Sequence, residues 1–289
     1  MILQPYISPL PFYERLDEQF KNGPTAFGTN YPYLAAMNEP PTFFFFTDID
    51  PNNWSVTDVS IVQVGVQSHD VTRTFLDGSA SFVMHDADLQ GRAQSYIRFS
   101  PTETFTGYTF PAVGLYYYVL GLVDTDTGQD RKQLYSELFC VKDDMQNAIR
   151  IEYTNAVSIS TANGDIPFGD ETLGGFKLHL WVDALIGKPT YNYEENATRR
   201  MGYEFLESVV SAKTYRFVFI APEYLCDAFR LIKVCSDKTI RQGHRTYEPT
   251  TFNVEVDWQE QGDLAAVEVT FDTDNIMAVI GGYLKQTTI

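Results

Sequence analysis

The stretch WQEQGDLAAVEVTFDTD (residues 258–274) decides how the chain is read. Its second half alternates. Leu264, Ala266, Glu268 and Thr270 fall on one side, and Ala265, Val267, Val269 and Phe271 on the other. A period of two is that of a strand, because successive side chains of extended backbone point to opposite faces. One face is apolar and the other mixed, as in a sheet with a core on one side. Gln261-Gly262 ahead of it reads as a turn.

The same signal recurs along the chain. TIRQGHRTYEPTTFNVEVDW, with a turn at Gln242-Gly243, leads into the opening stretch. Upstream lie AIRIEYTNAVSIS, FKLHLWVDA, PTYNYEENATRR and MGYEFLESVVSAKTYRFVFIA. Earlier still are SVTDVSIVQVGV, TRTFLDGSASFVMHDA, QSYIRFSP, GLYYYVLGLV and KQLYSELFCV, separated by Gly, Pro and Asp. Short strands at this spacing predict a sandwich or barrel. Phe43–Phe46 form an unbroken apolar run, expected as a strand buried on both faces. One helix is expected near 222–234, where Tyr224, Leu225, Ala228, Phe229 and Ile232 recur at helical spacing. Pro222 suits its first turn and Glu223 its positive end.

The predicted fold is therefore mainly β. It has two sandwich- or barrel-like domains, at 51–142 and 143–289, the second carrying the helix. Residues 1–50 precede them as an extended arm. Pro5, Pro9, Pro11, Pro24, Pro32, Pro40 and Pro41 forbid long helices and central strands there. Interleaved aromatics make the arm too sticky for a disordered tail. Tyr6, Phe12, Tyr13, Phe27, Tyr31 and Tyr33 are its candidate interface residues, since Tyr and Phe bring large contact area to protein surfaces.

Composition narrows the function. The 289 residues carry 21 basic and 38 acidic side chains, a net charge of −17, which argues against a phosphate-binding surface. Three cysteines, with no CxxC, suit a reducing compartment. The first twenty residues lack the pattern of a signal peptide, and no segment approaches the ~18–20 apolar residues of a membrane span. Asp124–Asp130 resembles the start of a calcium loop. The sixth and twelfth positions hold Gln129 and Tyr135, where glycine and glutamate are needed, so a turn is the better reading. His69, His85, His179 and His244 show no zinc spacing, and no phosphate, nucleotide or nucleophile motif is present. No catalytic, cofactor-binding or metal residue is assigned.

Several segments act together as a signature. They include Tyr135, Ser136, Glu137 and Phe139, then Gly187, Lys188, Pro189, Tyr191, Glu195, Arg200, Gly202 and Phe205. Ala221–Leu225, Asp227, Arg230, Trp258 and residues 261–268 follow. In this order, over about 110–275, they resemble a family of structural proteins from bacteriophages of Bacteroidales, including crAss-like phages. The chain departs from the family pattern after Asp272 and Asp274, where NIMAVIGGY replaces a basic stretch. Residues 51–105 carry none of the motifs. The resemblance implies a virion protein of the neck or tail, made in the bacterial host cytoplasm, and supplies no catalytic residues.

The expected function is structural: copies assembled in a ring, touching other neck or tail proteins, with packaged DNA as a non-specific neighbour. The alternative is a carbohydrate- or cell-surface-binding module of a receptor-binding apparatus, with Trp54, Trp181 or Trp258 stacking on sugars. Trp181 and Trp258 sit in alternating strand patterns, which favours core positions for both. A hydrolase ranks last, because no base, nucleophile or metal set can be assembled from the spacing.

Overall fold

The computed structural model describes residues 10–14, 33–47, 54–65, 68–70, 83–87, 91, 93–99, 108–124, 126–128, 131–161, 164–168, 177–200, 203–258, 264–279 and 284–285. In chain order the strands begin with β1 (Phe12–Tyr13), β2 (Tyr33–Ala36), β3 (Phe43–Thr47), β4 (Trp54–Gln63), β5 (Ser68–Asp70), β6 (Val83–Ala87) and β7 (Ala93–Phe99). Next come β8 (Gly114–Asp124), β9 (Arg131–Ser136), β10 (Phe139–Lys142), β11 (Ala148–Thr154), β12 (Ile159–Thr161), β13 (Gly164–Ile166) and β14 (Leu178–Asp183). The last part holds β15 (Thr190–Arg200), β16 (Tyr203–Pro222), helix α1 (Glu223–Val234), β17 (Asp237–Gln242), β18 (Arg245–Tyr247), β19 (Thr251–Trp258), β20 (Leu264–Val279) and β21 (Leu284–Lys285). The fold is mainly β, with α1 the single helix among the described residues.

The largest sheet runs β1-β9-β8-β10-β2-β14-β11-β17-β18, with β4 and β5 added on the far side of β8. Its pairings are antiparallel except β10 with β2. The boundary expected near 142 falls inside this sheet. β10 ends at Lys142, and the sheet passes through β2 to β14 and β11. Tyr33–Ala36, expected in an extended arm that packs on its own domain or a neighbouring copy, is a central strand, with all four residues buried. Pro32 precedes it and Pro40 follows it, so neither removes a ladder bond from its interior.

A second sheet, β3-β7-β6, faces the first. The Phe43–Phe46 run is buried on every residue, as its unbroken apolarity predicted. Phe43 meets Phe12 at 4.7 Å and Tyr118 at 5.5 Å between ring centroids, joining the sheets by aromatic packing. The third sheet, β15-β16-β20-β19, contains the opening stretch. Ala265, Val267, Val269 and Phe271 are all fully buried, and the mixed face is half-buried. Residues 259–263, with the expected Gln261-Gly262 turn, lie outside the described residues. α1 lies on the apolar face. Its Phe229 packs 4.8 Å from Phe219 and 6.5 Å from Phe252. Pro222 caps the helix in extended backbone, with Glu223 in the first turn and Lys233 in the last.

The segment KQLYSELFCV does not form one strand. It breaks at Glu137-Leu138, which separates β9 from β10. Gly243-His244 makes the turn between β17 and β18, one residue on from the expected Gln242-Gly243, with Gly243 at φ 55°, a conformation glycine adopts without steric cost. The Asp124 segment is likewise a turn. Its carboxylate accepts bonds from the Asp126 and Thr127 amides at 2.8 and 3.1 Å.

Phe229 is fully buried where α1 meets β16 and β19. Phe229→Ala is expected to cost about 3–5 kcal/mol in chemical denaturation, the range for a large core ring replaced by a cavity. A loss below 1 kcal/mol would show that α1 does not pack as described.

Candidate functional site

Among the described residues, the histidines and cysteines lie apart from one another. His244 is exposed and His179 is buried, while the side chains of His69 and His85 lie outside the described residues. Cys140, Cys226 and Cys235 are free thiols. Burial pushes Cys226 up to about 11 and Cys235 up to about 12, so both stay protonated and non-nucleophilic at neutral pH. Among the described residues no three His, Cys, Asp or Glu side chains group as metal ligands, and no helix is long and apolar enough to cross a membrane.

One buried ionic cluster sits on the central sheet. Arg150 Nε donates to Glu39 Oε1 at 2.8 Å, and Arg150 Nη2 to the same oxygen at 2.6 Å. Arg150 Nη2 also donates to Glu152 Oε2 at 3.0 Å, and Trp181 Nε1 to Glu39 Oε2 at 2.8 Å. His179 Nε2 lies 3.8 Å from Glu39 Oε1. Burial alone would raise the Glu39 carboxyl. The charges of His179 and Arg150 and the bonds from Arg150 and Trp181 outweigh it and hold the group at about 2. Burial pushes the His179 imidazole down to about 4, against the pull of Glu39. Where Glu39 titrates, His179 is already protonated, so the two directions agree. Both groups make the fold acid-labile. His179 contributes stability above its ordinary 6.5 that fades as the pH drops toward 4, and Glu39 adds a loss below 4.5. The cluster clamps residues 37–42 onto β11 and β14. Removing only the cation strands a buried carboxylate. Arg150→Met is therefore expected to cost about 3–5 kcal/mol at pH 7 by urea denaturation. A neutral result would remove the clamp.

A second buried acid holds the start of the chain. Tyr13 Oη donates to Glu137 Oε2 at 3.0 Å, the Leu138 amide to Glu137 Oε1 at 3.0 Å, and the Glu137 amide to the Pro11 carbonyl at 2.8 Å. Burial pushes the Glu137 carboxyl up to about 7, against these two hydrogen bonds. Because the folded value lies above the ordinary 4.5, the contribution is full below pH 4.5 and is lost as the pH rises to 7. Glu137→Gln should be spared that loss. Relative to wild type, its stability is expected to rise by roughly 3 kcal/mol between pH 4.5 and 8, read from denaturation curves at several pH values. A constant difference would contradict the assignment.

Of the six aromatics expected at an interface, Phe12 and Tyr33 are instead buried in the subunit's own core. Tyr13 is half-buried and bonded to Glu137. Tyr6, Phe27 and Tyr31 lie outside the described residues. The tryptophans divide differently from expectation. Trp54 lies under Lys132 Nζ, 4.7 Å from its centroid, and Trp181 is tied to Glu39. Trp258, expected in the core, is 47% exposed because β19 is an edge strand and this is its last residue.

An unpartnered surface lies on the third sheet. β15 pairs with the first half of β16 from Thr190↔Thr214 to Arg200↔Tyr203. Its residues Thr190–Ala197 are exposed on both faces, including Tyr191 and Tyr193. In the second half of β16, Val218 and Ile220 are each 46% exposed on the face opposite α1. Beside them opens a groove of about 880 Å³, lined by Asp183, Leu185, Lys188, Thr190, Arg216 and Val218, among others. Arg216 is held there by Glu268 through Nε–Oε1 and Nη2–Oε2, both at 2.6 Å. Alternation alone could not reveal this surface, because RFVFIA is apolar on both faces and reads as doubly buried. No protein-family model matches the chain, and neither a curated protein nor a solved structure does.

Proposed function

We propose that the chain is a non-enzymatic virion structural protein of a bacteriophage neck or tail. It assembles with copies of itself into a ring and contacts other tail or portal-proximal proteins. The observation that carries this reading is the β15–β16 ribbon, whose strand β15 offers Tyr191 and Tyr193 to solvent with no core beneath either face. Such a strand is a liability in a solitary protein and a contact in an assembly. The ordered motifs that resemble phage structural proteins support the same reading. Gly187, Lys188 and Tyr191 of those motifs line or adjoin the groove and ribbon. The net charge of −17 would keep packaged duplex from adhering to a ring around it.

The binding-module reading keeps one specific observation, the exposed Trp258 at the end of an edge strand. Glycan-array binding lost on Trp258→Ala would favour it. The structural reading expects light scattering of the purified chain to give a multiple of the subunit mass, and mass spectrometry to find the chain in purified virions. A strictly monomeric chain that is absent from mature particles would overturn it.

A further inference from the structure

We infer that neighbouring copies join by strand addition, with the free edge of β15 in one copy lying against the open edge of β16, at Val218 and Ile220, in the next. The inference rests on the self-assembling reading above and names the surfaces that build it.

The third sheet is staggered. β15 covers only the first half of β16, and β19 covers only the Leu264 half of β20. Beyond Thr214, the β15 side of β16 receives a single backbone bond, from the Gly187 amide to the Arg216 carbonyl at 2.8 Å. That carbonyl points away from β20. Backbone groups along a strand repeat their direction every two residues, so those of Val218 and Ile220 point to the same open side. No described residue bonds them. The same rule applies to β15. Thr190 faces β16, as do Asn192 and Glu194, so the backbone groups of Tyr191, Tyr193 and Glu195 face outward. One copy thus carries both an open edge beside an apolar groove and a free edge bearing two exposed tyrosines.

Charge completes the fit. Lys188 in the groove has no ion pair among the described residues, and neither do the exposed Glu194 and Glu195. They cannot serve each other within one chain. Six residues of extended backbone separate Lys188 from Glu194 by ~20 Å. A second copy brings the acidic end of β15 to Lys188, with Glu195 on the face of Tyr191 and Tyr193, while its β15 edge meets Val218 and Ile220. Main-chain bonds then supply affinity, and Leu185, Val218 and Ile220 against Tyr191 and Tyr193 set register. The two patches differ, so the contact is heterologous. Repeated by rotation, it closes a ring.

Tyr193→Cys and Val218→Cys are made separately in a Cys140→Ser background, which leaves only the buried Cys226 and Cys235 beside the new thiol, then mixed and oxidised. A disulfide-linked pair of chains is expected from the mixture and from neither variant alone. Lys188→Glu is expected to lower the assembled fraction several-fold at a fixed micromolar concentration. Adding Glu194→Lys and Glu195→Lys to the same chain is expected to restore it. If wild type assembles but the mixture gives no cross-link, or Tyr193→Cys links only to itself, this interface is overturned while the ring reading stands. If wild type never exceeds one subunit's mass, both fall.

Discussion

Four residues hold the largest sheet together. Tyr33–Ala36 lie between β10 and β14, parallel to one and antiparallel to the other, and Leu34 faces both Cys140 and Trp181. Strands before residue 142 and strands after it would otherwise share no ladder through the middle of this sheet. A strand from the start of the chain closes the seam. Its insertion sets the positions of Pro40 and Pro41, the Phe43–Phe46 strand and Glu39. The Tyr33 hydroxyl reaches the His179 carbonyl at 3.5 Å, and Thr42 exchanges bonds with the His179 backbone at 3.0 and 2.8 Å. The first fifty residues are thus partly core, and a truncation through residue 40 would remove a central strand.

What the sequence revealed follows from how local each signal is. The alternation at 265–271 and the helical spacing at 224–232 are written within one element, and both were legible. So was the doubly buried Phe43–Phe46 run. The seam was not, because proline density describes the neighbours of Tyr33–Ala36 and not the strand between them. The ionic cluster was equally hidden. Glu39, Arg150 and His179 are joined by contacts spanning 111 and more residues, and nothing in local pattern announces them. Glu137 stood inside a recognised motif, yet only its burial beside Tyr13 explains why that motif breaks a strand.

The two buried acids work in opposite senses. Glu39 is surrounded by donors and a cation, so its charged form is favoured, and acid loosens the clamp. Glu137 accepts bonds only from the neutral Tyr13 hydroxyl and Leu138 amide, so burial prevails and its neutral form is favoured. Their pH effects on stability oppose each other, with Glu137 acting between 4.5 and 7 and Glu39 below 4.5. His179 fades across the interval between 6.5 and 4. Near neutrality the early part of the chain is held more by the Glu39 cluster and the aromatic core than by Glu137.

The third sheet reverses the economy of the first. The first sheet places its apolar residues in a closed interior, down to fully buried tyrosines at 116, 118 and 153. The third runs a strand of 20 residues, ~65 Å when extended, far past the helix that covers its base. Its neighbours are offset, so one edge stays open at each end of the stagger. Folding alone gives no reason for such length, since backbone beyond the core loses conformational entropy without burying area in return. Proteins usually blunt exposed edges with proline, charge or short strands. Here the edge at Val218 and Ile220 is apolar, and the edge at Tyr191 and Tyr193 is aromatic. The ordering cost of the ribbon is recovered only when its exposed residues are covered, which the proposed contact between copies would do.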